Sequence, residues 1–204
     1  MAVWTPAEIT TGLWLDAADG STVTVSTGVS GWADKSGNSR NFAQSTASSQ
    51  PEFVAAAQNG LSALRFNDTS HHLTSTVSMP QDAATTFIVR KLNGLPKSGY
   101  DKYLFCLFAS PSAGIELQVR NRSWAHPHQL INNLNYNSEV TVGIAEPLDT
   151  APRVFGWTYN NGPNSSTSSY TIHLDGSEQT VLESAGTIIR DRLVSFIGKA
   201  PEHN

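Results

Sequence analysis

The chain has one cysteine, few charges, almost no helix signals and no long apolar run. Cys106 is the only thiol among 204 residues, so an internal disulfide and a multi-cysteine metal site are both excluded. It lies in the apolar run from Tyr103 to Phe108 and reads as a small packed hydrophobe. Charged residues make up 15% of the chain, against about a quarter in an ordinary soluble domain. The thirteen Lys and Arg are scattered, no basic run exceeds Arg90-Lys91, and the formal net charge is -4. With no basic patch to neutralise phosphates, a nucleic-acid partner is not expected. No window reaches the length of a membrane-spanning helix. The opening Met1-Ala2-Val3-Trp4-Thr5-Pro6 has neither the basic region nor the apolar core of a secretory leader. The expectation is a protein made in a cytoplasm, with no membrane partner.

Signatures of catalysis are missing as well. A sugar-cleaving sandwich needs paired carboxylates facing one groove, but Glu116 has no acidic neighbour two positions away. Glu139 and Glu146 are scattered, and Glu178 and Glu183 are an odd number apart, which turns them to opposite faces of an extended strand. There is no Gly-x-Ser-x-Gly elbow and no phosphate loop. The expected protein is not an enzyme.

What is present is alternation with period two. Phe87 and Val89 share one side of the run Thr85 to Lys91, with Thr86, Ile88 and Arg90 on the other. Ile115, Leu117 and Val119 alternate with Glu116, Gln118 and Arg120. Phe155, Trp157 and Tyr159 form an aromatic stripe that reads as core, and Tyr170 to Asp175 alternates with His173 outward. Leu61 to Phe66, Leu104 to Ala109, Val181 to Glu183 and Leu193 to Ile197 add further strands. Asn59-Gly60, Asn93-Gly94, Ser98-Gly99 and Asn161-Gly162-Pro163 mark turns, and Asp175-Gly176 is the strongest hairpin signal. The one helical signal is Thr5-Pro6-Ala7-Glu8, a capping box with proline at the first position. Many short strands without helices between them predict an all-β, two-sheet antiparallel sandwich in a single domain over residues 1–204.

Several polar groups qualify as candidate sites. Asp16, Asp19, Asp34 and Asn38 are oxygen donors of the kind calcium takes. Their spacing matches no EF-hand loop, and Asp and Asn in turns ordinarily bond their own backbone. No cofactor is therefore expected. His126 and His128 fall on one side of an extended segment, a feasible zinc pair without a visible third ligand. Like His71 and His72, they also fit solvated loop histidines. The stretch Trp124 to Tyr136 collects Trp124, His126, His128, Asn132, Asn133, Asn135 and Tyr136. Rings beside amides suit a sugar ligand, and an irregular crossover anchored by one or two rings is the competing reading.

The opening of the chain carries a family resemblance. Leu13-Trp14-Leu15-Asp16-Ala17, Asp19, Ser21-Thr22-Val23, Val29 to Trp32 and Asp34-Lys35-Ser36-Gly37-Asn38 resemble the concanavalin A-like, laminin-G-like jelly rolls of phage virion and bacterial surface proteins. Asn41-Phe42, Gln50-Pro51, Asn59-Gly60, Ala63 to Phe66, His72-Leu73, Tyr170 to Gly176 and Phe196-Ile197-Gly198 continue the likeness. The resemblance implies a non-enzymatic virion accessory, made in the host cytoplasm, that decorates a capsid or attaches to a tail or fibre. Its implied partners are other virion proteins and copies of itself in a symmetric assembly. The alternative it leaves is a carbohydrate-binding module for host attachment; a glycan hydrolase is the weakest of the three. Family members continue past the Ile-Gly element into a closing strand beside the first one, whereas this sequence ends soon after Gly198. A jelly roll lacking that strand implies that Leu13, Trp14, Leu15 and Asp16 form an exposed assembly edge, completed by a partner.

Overall fold

The computed structural model describes residues 5–67, 69–76, 83–94, 101–110, 113–120, 128–133, 139–144, 150–160, 169–179, 182–183 and 194–198. Side chains are described over 5–67, 69–76, 85–94, 150–158, 171–179 and at 197, and the backbone alone elsewhere. The strands are β1 (Val23–Val25), β2 (Val29–Trp32), β3 (Phe42–Ala43), β4 (Glu52–Gln58), β5 (Leu61–Arg65), β6 (His72–Ser75), β7 (Ala83–Arg90) and β8 (Asp101–Ser110). There follow β9 (Ala113–Arg120), β10 (His128–Asn133), β11 (Glu139–Ile144), β12 (Arg153–Asn160), β13 (Ser169–Leu174), β14 (Ser177–Gln179), β15 (Leu182–Glu183) and β16 (Val194–Gly198). Among the described residues the only helical elements are three short 3-10 turns. The class is all-β, as the period-two pattern predicts. In the first 3-10 turn, Pro6–Glu8, the Thr5 amide donates to the Glu8 carboxylate at 2.8 Å, which is the glutamate half of the capping box.

Contacts divide the chain into two compact units. One comprises Met1–Met79 with Val194–Ala200, the other Pro80–Leu193 with Pro201–Asn204. In the first, the sheet order runs β1-β2-β3-β6-β16, so a strand from the far end of the sequence pairs with β6, setting Ile197 against Leu73 and Phe196 against Thr74. Val29, Phe42 and Leu73 are fully buried, each stabilising by about 1.5–3 kcal/mol relative to an exposed side chain. β4 and β5 form a separate hairpin whose turn is Asn59-Gly60, both at positive φ. That two-residue geometry favours Asn-Gly because glycine and asparagine tolerate the left-handed region.

In the second unit, β8, β9, β10 and β11 form an antiparallel meander with β15 paired beside β11, and β14-β13-β12-β7 make a four-stranded sheet. β7 and β12 pair over eight consecutive residues without a register shift, from Arg153 against Arg90 to Asn160 against Ala83. Asp175-Gly176 closes the β13–β14 hairpin with both residues at positive φ. One face of this sheet is core, with Phe155 1%, Trp157 2%, Ile172 0% and Leu174 6% exposed. The aromatic stripe read from the sequence is therefore buried at both rings described.

The expected strand over Leu13, Trp14, Leu15 and Asp16 does not form; the segment is irregular. The Trp14 amide donates to the Asp34 carboxylate at 2.9 Å and the Trp14 carbonyl accepts from the Lys35 amide at 2.8 Å. A side-chain acceptor has taken the place of one ladder partner, the competition by which Asp displaces regular pairing. The periodicity of an apolar run carries no information about a carboxylate twenty residues away in sequence.

Candidate functional site

The family-like opening folds into a polar clasp centred on Asp34. Its carboxylate accepts from the amides of Trp14, Ser36 and Arg40 at 2.9, 2.9 and 3.1 Å, and from the Ser36 hydroxyl at 2.7 Å. Desolvation works to raise the Asp34 carboxyl, but these four donors together hold it below the usual carboxylate range. The loop beyond it reaches back to the same segment. Asn38 Nδ2 donates to the carbonyls of Thr11 and Gly12, and the Arg40 guanidinium also donates to the Gly12 carbonyl. Gly37, at φ +84, makes the turn that returns the chain.

Beside the clasp, Lys35 Nζ lies 3.0 Å from Asp16 Oδ2, 2.8 Å from Asp19 Oδ2 and 4.4 Å from the centre of the Trp14 ring. The Lys35 ammonium and the Ser21 hydroxyl lower Asp19 to about 2, while Asp19 and then Asp16 raise Lys35. The calcium-type donor set is thus divided: Asp16 and Asp19 face an ammonium, Asp34 faces amides, and Asn38 directs its amide group to carbonyls. Each aspartate also accepts from the amide two residues on, at Ala18, Ser21 and Ser36. These are Asx turns, the backbone role that Asp ordinarily takes in loops.

A second polar cluster supports the same unit from inside. Gln50 accepts from the Ser26 hydroxyl and the Gly28 amide and donates to the Gln44 carbonyl, all at 2.9 Å. Gln44 Nε2 contacts His72 Nε2 at 2.8 Å and donates to the His72 carbonyl, while His72 Nδ1 lies 2.9 Å from the Ser70 carbonyl. A carbonyl only accepts, so the assignment that satisfies both contacts is Nδ1–H donating and Nε2 accepting. His72 is consequently a structural residue of the core margin, and His71 accepts from the Asn67 amide in a neighbouring turn.

The outer face of the four-stranded sheet is different in kind. Phe87 is 62% exposed, Val89 76% and Val154 43%. Phe87 stands opposite Gly156 on β12, and a Cβ built on Gly156 would meet Phe87 Cδ1 and Cε1 at 3.0 Å. The ring therefore lies across the glycine, leaving its other side to solvent. The Thr85 and Thr158 hydroxyls meet across the strands at 3.0 Å. Arg153 and Asp175 pair at 2.6 Å, and Asp175 also accepts from the Val154 amide. An antiparallel sheet with one wet face ordinarily carries polar residues there; here Phe87, Val89 and Val154 make that face apolar.

This face was not singled out from the sequence. The signal was available: in β7 both alternating rows contain large apolar residues, Phe87 and Val89 in one and Ile88 in the other. Of the residues that were singled out, Trp124, His126, Asn135 and Tyr136 lie outside the described residues. His128, Asn132 and Asn133 are described by backbone alone. His128 pairs with Val119 and Ile144, Asn132 with Ile115 and Val140, and Asn133 with Gly114 and Glu139. No helix among the described residues is long and apolar enough to cross a membrane. In comparisons with protein-family models, curated proteins and solved structures, the chain matches none.

Proposed function

We propose that the protein is a non-enzymatic accessory component of a tailed-phage virion, a jelly-roll module that works by docking to other proteins on a capsid, tail or fibre. The observation that carries the docking part is the outer face of β7 and β12, where Phe87, Val89 and Val154 are exposed together. Leaving such a row in water forgoes about 25 cal/mol for each Å² of apolar area that a partner would cover. The virion setting rests on the resemblance of segments between Leu13 and Phe66, of His72-Leu73, of Tyr170 to Gly176 and of Phe196 to Gly198 to jelly rolls of that kind. A polar surface low in charge also suits a dense assembly, where repeated like charges repel.

The reading is tested on purified phage particles produced with and without the gene for this chain. The expected result is the protein in stoichiometric amount in washed particles, and its loss from them when Phe87→Lys is introduced. Absence from particles overturns the virion assignment. Retention of Phe87→Lys in particles at the wild-type level overturns the assignment of the outer face. Binding to a host polysaccharide on a glycan array, without incorporation into particles, would favour the carbohydrate-binding alternative.

A further inference from the structure

We propose that β7 is a self-pairing edge: two copies of the chain join their β7 strands antiparallel about a two-fold axis at Thr86, making one continuous eight-stranded sheet. The inference rests on the docking reading above and names a second copy of the chain as the partner of the β7 edge, beside the outer face.

Among the described residues, β7 pairs with β12 alone, so its other side presents a row of backbone donors and acceptors without a strand partner. Such edges invite pairing, and proteins defend them with short length, charge, proline or a bulge. β7 has none of these from Ala83 to Val89: it is eight residues long, its register with β12 is unbroken, and its first seven residues carry neither charge nor proline.

The strand's own sequence selects the occupant. About a two-fold axis at Thr86, Thr85 faces Phe87 of the other copy, Ala84 faces Ile88 and Ala83 faces Val89. Every large side chain then meets a small one, the alternation that interdigitates without overpacking. Opposite charges across a strand pair stabilise it and like charges destabilise it. A parallel pair would instead set the basic ends Arg90-Lys91 side by side. Size therefore chooses this antiparallel register and like charge disfavours the parallel one, and the exposed Phe87 and Val89 rows of the two copies become one continuous surface.

The experiment is sedimentation of the full chain across a concentration series, with hydrogen exchange followed over residues 83–90. The expected result is a concentration-dependent species of twice the chain mass, with amide protection in 83–90 appearing as it forms. Val89→Lys should weaken this association at least tenfold while circular dichroism stays unchanged, since Val89 is largely exposed. Adding Ala83→Glu, which faces residue 89 of the other copy, should restore it to within about threefold. A monomer at all concentrations overturns the proposal. So does a dimer that is indifferent to Val89→Lys, or one that leaves the exchange of 83–90 unaltered. The two readings fail separately: a monomer found in particles refutes self-pairing only, and a dimer absent from particles refutes only the virion assignment.

Discussion

The clasp around Asp34 and the outer face of the four-stranded sheet use their residues in opposite ways. In the clasp, charged and polar side chains are turned onto backbone groups twenty or more residues away, and the segment they hold has no regular structure. On the sheet face, the backbone is fully regular and the Phe87, Val89 and Val154 side chains are largely exposed. The first arrangement stabilises the fold and leaves little for a ligand: three aspartates are already engaged by amides and by Lys35. The second contributes little to folding and leaves apolar area in water. Polar residues in the clasp are spent on structure, while the β7–β12 face leaves its apolar residues exposed.

That contrast can be broken from either side. The largest effect belongs to the buried side of the sheet, where Phe155→Ala should destabilise by about 3–5 kcal/mol, because the cavity adds to the lost transfer energy. Urea unfolding measures it, and a loss similar to that of Phe87→Ala would erase the distinction between the two faces. Next comes Asp34→Ala, expected to cost about 2 kcal/mol because the Trp14, Ser36 and Arg40 amides lose their charged acceptor and water replaces it only in part. If the midpoint does not move, the clasp is ornamental and the comparison fails. Gly28→Ala should cost about 1–3 kcal/mol through steric strain, since a Cβ there would lie 2.7 Å from the Pro51 carbonyl oxygen. By contrast, Val89→Lys should stay within about 0.5 kcal/mol of wild type in folding while changing association.

The clasp also has a pH signature. Asp19 and Asp34 have folded-state pKa values below the ordinary carboxylate value of 3.8, Asp19 at about 2. Their contribution is therefore fully present above the unfolded value and is lost as pH falls from 3.8 towards 2. Lys35 is raised above 10.5, so its contribution holds at neutral pH and disappears as pH rises through the raised value. Thermal melts between pH 5 and pH 2 should show a fall that is smaller in Asp34→Asn than in wild type. An equal fall in both would place the acid sensitivity elsewhere.

Much of the fold was legible from residue patterns. The alternations from Ile115 and Tyr170, the Asn59-Gly60 and Asp175-Gly176 turns and the Phe155–Trp157 stripe depend on neighbours a few residues away. Asx turns at Asp16, Asp19 and Asp34 were legible for the same reason. The strand expected at Leu13 to Asp16 was misread because its deciding partner, Asp34, is distant in sequence. The outer face went unnoticed because period two sorts β7 into two rows without saying which is wet.

By itself, the sequence determined the all-β class and the local turns, since periodicity and turn chemistry act at short range. Only the tertiary structure decided that Asp34 displaces a strand and that Lys35 stands between Asp16 and Asp19. It also decided that Phe87 and Val89 face outward, because burial is set by which face of the sheet receives the core, and neighbours in sequence do not fix that choice.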